Sequence, residues 1–299
     1  MAKIELIGVT KRFGKTTALN NVNLEVHDKE FFVLFGPAGA GKTTLLNNIA
    51  GIQIPEEGMV KIGGKIVNQV DPAERNVAMV FENYALYPHM TVYDNIASPL
   101  RSPRDKKDEA AIKEAVNRVA ALMRIDMLLE RLPSQLSNGQ RQRVALGRAL
   151  VREPNVFLMD EPLAHLDAKL RNHMRGELKE MQTAFATTTI YVTHDFMEAM
   201  SLGDRIAIIN EGKIVQLGTS DEIYYMPCNE FVAQLMGDPE INLLPCKLIK
   251  VDNVYSVVWT EAPQVKMVLP ENAELFARFA NLAGGDIHQI GRASCRERV

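Results

Sequence analysis

Five apolar residues, Phe31–Phe35, stop abruptly at Gly36-Pro37-Ala38-Gly39-Ala40-Gly41-Lys42-Thr43, and a helical pattern follows over about Lys42 to Ala50. Buried strand, glycine loop and helix stand in the order that a G-x-x-x-x-G-K-[ST] string needs to grip phosphate. Small residues let backbone N–H groups wrap a phosphate closely, and the helix turns the positive end of its dipole to the same anion. In such a loop Lys42 bridges the β- and γ-phosphates of ATP and the Thr43 hydroxyl holds Mg²⁺, with Thr44 closing the nucleotide-contacting stretch. A second strand-like run, Val156–Met159, ends in Asp160-Glu161 at the carboxyl edge where open α/β sheets bind ligands. Asp160 suits Mg²⁺ held through water, and Glu161 suits a general base that polarises the attacking water.

Further strand signals lie at Lys3–Val9, Val22–His27, Val77–Phe81, Thr188–Thr193 and Arg205–Ile209, with a hairpin over Gly58–Asn68 turning at Gly63-Gly64. From Val92 to about Leu150 the pattern is helical. Ile112, Val116, Val119, Ala120 and Met123 share one face there, with Ser102-Pro103 as N-cap and first helical residue. Leu166, Leu170, Met174, Leu178, Met181 and Phe185 form another stripe. Alternating strands and helices predict a parallel sheet covered on both faces. Beyond Gly237 the texture changes to short β-like pieces, Lys247–Val251 and Tyr255–Trp259.

A chain of 299 residues has room for two domains. Hydrophobic residues at 46% and charged residues at 24% match soluble globular proteins, and a net charge of −3 gives no basic field for nucleic acid. Cys228, Cys246 and Cys295 are scattered without a CxxC, which argues against a metal site or disulfide framework and fits a reducing cytoplasm. Neither a signal peptide nor an apolar run of membrane-spanning length is evident, so any work at a membrane relies on partners.

Between the two phosphate-site signals stands Leu136-Ser137-Asn138-Gly139-Gln140, followed by Arg141-Gln142-Arg143-Val144-Ala145-Leu146. This resembles the LSGGQ signature of ABC transporter ATPases and its helix. Phe13, Leu166-Asp167 and Val192-Thr193-His194-Asp195 are similar to that family in the same order. The resemblance covers about residues 3 to 236 and implies an α/β fold: a P-loop ABC ATPase domain, 1–236, with a helical subdomain over about 92–150. A small, truncated, β-rich (OB-like) C-terminal domain over 237–299 follows. It also implies that Phe13 stacks on adenine, that His194 meets the γ-phosphate and helps position Glu161, and that Asp167 lies in the D-loop. Ser137, Asn138, Gly139 and Gln140 would face ATP held by a second ATPase subunit, in a head-to-tail dimer.

Tyr84-Ala85-Leu86-Tyr87-Pro88-His89-Met90-Thr91-Val92 and Met236-Gly237-Asp238-Pro239-Glu240-Ile241-Asn242-Leu243-Leu244-Pro245 resemble the sugar-importer ATPases of the maltose-transporter type. In that group the first segment receives a permease helix, which implies exposed Tyr84, Leu86 and Tyr87. The implied function is the ATP-hydrolysing subunit of an importer for a sugar, polyol or related solute. It would sit peripherally on the cytoplasmic face of the inner membrane, with transmembrane permease subunits near Tyr84–Met90 and a periplasmic or extracellular solute-binding protein acting indirectly.

Three positions depart from the family pattern. Glu82 stands for the Q-loop glutamine, still an oxygen donor for Mg²⁺ but with added negative charge; Asn138 replaces the first signature glycine; Ala164-His165 replaces Ser-Asn. They motivate a non-identical ATPase partner, against a homodimer with neutral drift, and, through Glu82, a degenerate nucleotide-binding subunit. A non-transport ABC ATPase would carry paired ATPase domains or long arms; a P-loop kinase or GTPase would leave Leu136–Gln140 and His194 unexplained. The residues after Gly237 are too few for the family's regulatory module, and Gly291–Val299 reads as a truncation or cloning scar.

Overall fold

The computed structural model describes residues 2–102, 107–237, 242–251, 254–261, 263–264, 266–268 and 286–291. Its elements run β1 (Ile4–Phe13), β2 (Thr16–Val26), β3 (Phe31–Phe35), α1 (Lys42–Ala50), β4 (Glu57–Ile62), β5 (Lys65–Ile66), β6 (Val77–Val80), α2 (Val92–Ala97), α3 (Glu109–Leu122) and α4 (Asn138–Leu150). There follow β7 (Val156–Asp160), α5 (Ala168–Phe185), β8 (Thr188–Thr193), α6 (Phe196–Leu202), β9 (Arg205–Asn210), β10 (Lys213–Gly218), α7 (Ser220–Tyr225) and α8 (Glu230–Leu235). The last strands are β11 (Asn242–Val251), β12 (Val254–Trp259), β13 (Lys266–Val268) and β14 (Asp286–Gly291). The chain divides into compact units Met1–Ile223 and Tyr224–Val299.

The first unit holds two sheets. In the larger, ordered β10-β9-β3-β8-β7-β6, every pair is parallel except β10 with β9. β3, β7 and β8 are buried at every position, which explains why Phe31–Phe35 and Val156–Met159 read as unbroken apolar runs rather than alternating ones, while β8 buries three threonines beside Ile190, Tyr191 and Val192. Because β3, β8, β7 and β6 are parallel neighbours, their carboxyl ends open on one edge of the sheet. The second sheet, β2-β1-β4-β5, is antiparallel, and register shifts within the β1–β2 pair carry both strands to the hairpin at Gly14-Lys15. Those irregularities break the period-two pattern and hid the strands' outer halves from sequence reading. Gly63 and Gly64, both at positive φ, form the turn between β4 and β5, as their spacing predicts.

In the helical insert Ile112, Val116, Val119, Ala120 and Met123 are all buried, as their stripe predicts. The helix start differs. Asp108, not Ser102, caps α3, its carboxylate accepting from Ala111 N at 2.7 Å, and Pro103 lies outside the described residues. Asp108 supplies the stronger cap because it stands immediately before the first buried turn. α2, α3 and α4 meet around Gly147, where an added Cβ would lie 3.2 Å from Val119 and 3.5 Å from Ile96.

α1 packs on β6, β7 and β8 and is secured at its far end by the buried Arg75. Arg75 donates to Asn48 O and Ile49 O at 2.9 Å each and to Val70 O at 3.0 Å, so a cation satisfies the orphan carbonyls at the helix C-terminus. Burial without a counter-charge pushes its pKa down. Arg75→Ala is expected to cost about 2–4 kcal/mol in denaturant unfolding, since the truncation leaves several buried acceptors unpaired. A loss below about 1 kcal/mol would show that the carbonyls find other donors.

In the second unit the described strands form an antiparallel sheet, β13-β12-β11-β14, with Cys246 and Leu248 of β11 and Ser256 of β12 buried. Gly291 is the last residue of β14; residues 292–299 lie outside the described set.

Candidate functional site

The glycine loop leaves β3 at Gly36, where an added Cβ would lie 2.3 Å from Ile209 O. At Gly41, φ is +104° and a Cβ would come within 2.5 Å of Ala18 O, so only glycine fits the backbone between β2 and the β9–β10 turn at Gly212. Lys42 is buried and its Nζ donates to Gly36 O at 2.8 Å and Pro37 O at 2.9 Å. It also stands 3.5 Å from Glu161 Oε1. Thr43 Oγ1 donates to Asp160 Oδ1 at 3.2 Å, tying the first turn of α1 to the end of β7.

Glu161 takes φ +45°, a left-handed conformation that costs a non-glycine residue about 1–3 kcal/mol. Its N–H donates to Val192 O at 3.0 Å, and its carboxylate is aimed between Lys42 and His194, whose Nδ1 is 2.8 Å from Glu161 Oε2. Lys42, Thr43, Asp160, Glu161 and His194 thus form one connected set across β3, β7 and β8. Burial pushes the Asp160 pKa up; the Thr43 hydrogen bond opposes this, and the neighbouring charges of Glu161 and Glu82 add to it. The Asp160 carboxylate beside the Thr43 hydroxyl, with Glu161 next in sequence, makes a hard oxygen donor set that fits Mg²⁺ shared with phosphates and water.

Other predicted residues stand apart from that set. Phe13 is exposed near the tip of the β1–β2 hairpin, with Lys11 Nζ 5.4 Å from its ring centroid. Ser137 caps α4 in a reciprocal capping box: its Oγ accepts from Gln140 N at 3.4 Å, and Gln140 Oε1 accepts from Ser137 N at 3.0 Å. Asn138 begins α4, and Gly139 lets it pack on α5, since a Cβ there would lie 2.6 Å from Leu170 Cδ2. Asp167 caps α5 through Leu170 N at 2.9 Å. Glu82 lies just past β6 with its carboxylate exposed, 3.5 Å from His165 Nε2.

The expectation of an exposed Tyr84 is corrected. Tyr84 is 8% exposed and Leu86 partly buried, whereas Tyr87 is 46% exposed. Positive φ at both Tyr84 and Ala85 folds the segment back, and Arg148 clamps it by donating to Tyr84 O at 3.1 Å and Ala85 O at 2.7 Å.

One buried network escaped sequence reading. Arg171 donates to Leu166 O at 3.1 Å and to Asp195 Oδ2 at 2.9 Å, joining the residues on either side of Asp167 and His194. Behind it Glu198 accepts from Tyr191 OH at 2.9 Å and Thr193 Oγ1 at 2.6 Å. The Asp-x-x-Glu spacing of Asp195 and Glu198 at a helix start was the available signal, although Glu198 turns inward instead of back to the cap. Burial raises the Glu198 pKa above the ordinary 4.5. The folded state therefore holds this proton more tightly than the unfolded chain, and the ionised carboxylate subtracts from stability increasingly as pH climbs from 4.5 through the folded pKa. Accordingly, the stability of the parent minus that of Glu198→Gln is expected to fall as pH rises across that window; a pH-independent difference in unfolding free energy would contradict the assignment.

The ABC transporter family profile matches residues 19–164. A trehalose/maltose import ATP-binding protein of Thermococcus litoralis is 54% identical over 250 residues, spanning 82% of this chain and 67% of that protein. An sn-glycerol-3-phosphate import ATP-binding protein of Brucella abortus is 51% identical over 245 residues, spanning 82% and 69%. The chain belongs to the ABC transporter ATP-binding family. Among solved structures, the dimeric post-hydrolysis state of the ATP-binding cassette MJ0796 bound to ADP and Pi matches this ABC ATPase with a TM-score of 0.66 and 31% identity, over 73% of this chain and 98% of that one. CbiO1 of Clostridium perfringens matches with a TM-score of 0.69 and 26% identity, over 75% and 90%. The ABC ATPase fold expected from the sequence agrees with these neighbours, the β-rich texture after it corresponds to the sheet β13-β12-β11-β14, and the ABC ATPase binds and hydrolyses ATP. No helix among its described residues is long and apolar enough to cross a membrane.

Proposed function

We propose that this ABC ATPase powers import of a sugar, polyol or phosphorylated glycerol derivative, working as a dimer beneath a membrane permease on the cytoplasmic face. The hydrolytic half of the reading is supported above all by Glu161, held in a strained conformation between Lys42 and His194. The import half is supported by identity above one half to two import ATP-binding proteins, acting on trehalose/maltose and on sn-glycerol-3-phosphate.

ATP lies with its β-phosphate in the N–H cradle of Gly36–Thr44 and its adenine on Phe13, and Lys42 exchanges its loop carbonyls for β- and γ-phosphate oxygens. The Thr43 hydroxyl and Asp160, with Glu82 as a further oxygen source, would hold Mg²⁺, which would supply neutralisation of phosphate charge. Glu161 takes a proton from the water that attacks the γ-phosphorus, and the bond to the ADP oxygen breaks. His194 holds Glu161 through Nδ1, which leaves Nε2 for the γ-phosphate. The Ser137–Gln140 capping box fixes the α4 N-terminus, and the Ser137 hydroxyl hydrogen with the remaining first-turn N–H groups faces ATP held by a second subunit, alongside Asn138, Gly139 and Asp167. The permease docks along Tyr84–Met90, where Tyr87, Pro88 and His89 are exposed; a solute-binding protein outside acts through it.

Reconstitution with the cognate permease and solute-binding protein, followed by a solute screen, tests this. Maltose-like sugars, polyols or glycerol phosphates are expected to stimulate ATP turnover. Stimulation confined to amino acids, peptides or metal ions would refute the solute class.

A further inference from the structure

Glu82 and His165 both depart from the usual family residues, and the fold brings them together. His165 Nε2 is 3.5 Å from Glu82 Oε1, and the His165 ring meets Tyr84 edge-on at 83° with centroids 6.3 Å apart. One imidazole therefore touches both ends of the Glu82–Tyr84 segment from the loop that joins Asp160 to Asp167. That segment is otherwise constrained by the Arg148 clamp from α4 and by two consecutive left-handed residues. A glutamine at position 82 would bring no charge; the carboxylate adds to the negative field on Asp160 and calls for a donor of its own.

We propose that His165 is a positioning residue that fastens the Glu82–Tyr84 segment to the Asp160–Asp167 loop, making Glu82 and His165 one matched pair. An exposed pair like this contributes little to stability. Its effect is positional: His165 gives the Glu82 carboxylate a partner outside the Asp160–Thr43 contact, and it links the proposed permease-facing segment to the Asp160–Asp167 loop. The inference rests on the proposed function for its consequence, but the contact itself does not. Two of the three departures thereby become one paired feature, which weakens the case that Glu82 made for a degenerate subunit.

A double-mutant cycle tests the pair with Glu82→Gln, His165→Asn and the combination, all in the full chain. The first readout is the Mg²⁺ concentration giving half-maximal ATP turnover. Each single variant is expected to shift it by about threefold or more, and the combination to return toward the parent. Shifts that simply add, or no shift, would overturn the pairing. The second readout, taken without nucleotide, is the His165 imidazole resonance, which Glu82→Gln is expected to move. An unmoved resonance overturns the proposal whatever the turnover data show. Absence of Mg²⁺-dependent turnover in the parent would instead sink the proposed function, leaving the imidazole spectrum to decide on the contact.

Discussion

Glu161→Gln is expected to reduce steady-state ATP turnover by about 10²–10⁴-fold while ATP binding persists, the range expected when a positioned general base is removed. The substitution keeps the shape of the side chain and an oxygen that can still face His194 Nδ1, now 2.8 Å from the carboxylate. What it loses is the basic oxygen that receives the proton from water. Because the ion pair between Glu161 and the glycine cradle is the 3.5 Å approach to Lys42 Nζ, binding of the triphosphate is carried by groups the substitution leaves in place. Turnover within about threefold of the parent would place the base elsewhere.

Lys42→Ala is expected to act on binding as well. Removing a charge-assisted contact to phosphate weakens ATP affinity by about 10–10²-fold, and turnover falls further because the same ammonium offsets charge that grows on the γ-phosphate in the transition state. Calorimetric titration with ATP and Mg²⁺ measures the first effect and steady-state turnover the second. Unchanged affinity would mean that Lys42 stays bonded to Gly36 O and Pro37 O in the complex instead of turning to the nucleotide. The two variants separate the roles of the residues: one loses chemistry at retained affinity, the other loses both.

Much of the catalytic corner was legible because its parts are local. The glycine loop must be a contiguous string, since neighbouring N–H groups wrap one phosphate, and β3 and most of β7 announce themselves as apolar runs, while the β-branched residues of β8 mark it as a strand. Asp160-Glu161 and His194 then fall at the carboxyl ends of parallel neighbours, so the sheet order alone brings them together. The features that were not legible depend on backbone irregularity or on distant partners. Register shifts blurred the outer halves of β1 and β2. Positive φ at Tyr84 and Ala85 buried a tyrosine that the resemblance placed on the surface. Arg171 gave no sign of joining Leu166 to Asp195, because one acceptor is a main-chain carbonyl and the other comes from a different loop. The departures at Glu82 and His165 were expected to share the nucleotide region, but a direct contact between the two could not be read until β6 and β7 were seen to be adjacent.

Closure of two copies over ATP is the central claim, and thiol crosslinking measures it directly. In a Glu161→Gln background with Cys228, Cys246 and Cys295 replaced, Ser137→Cys and Ala38→Cys would be introduced and treated with a short bifunctional reagent. Ser137 and Ala38 are both exposed, at the start of α4 and in the glycine loop. An intersubunit crosslink that forms with ATP and is lost with ADP is the predicted result. No intersubunit product under ATP, with both thiols shown to be reactive, would contradict the sandwich and with it the account of how this ATPase works.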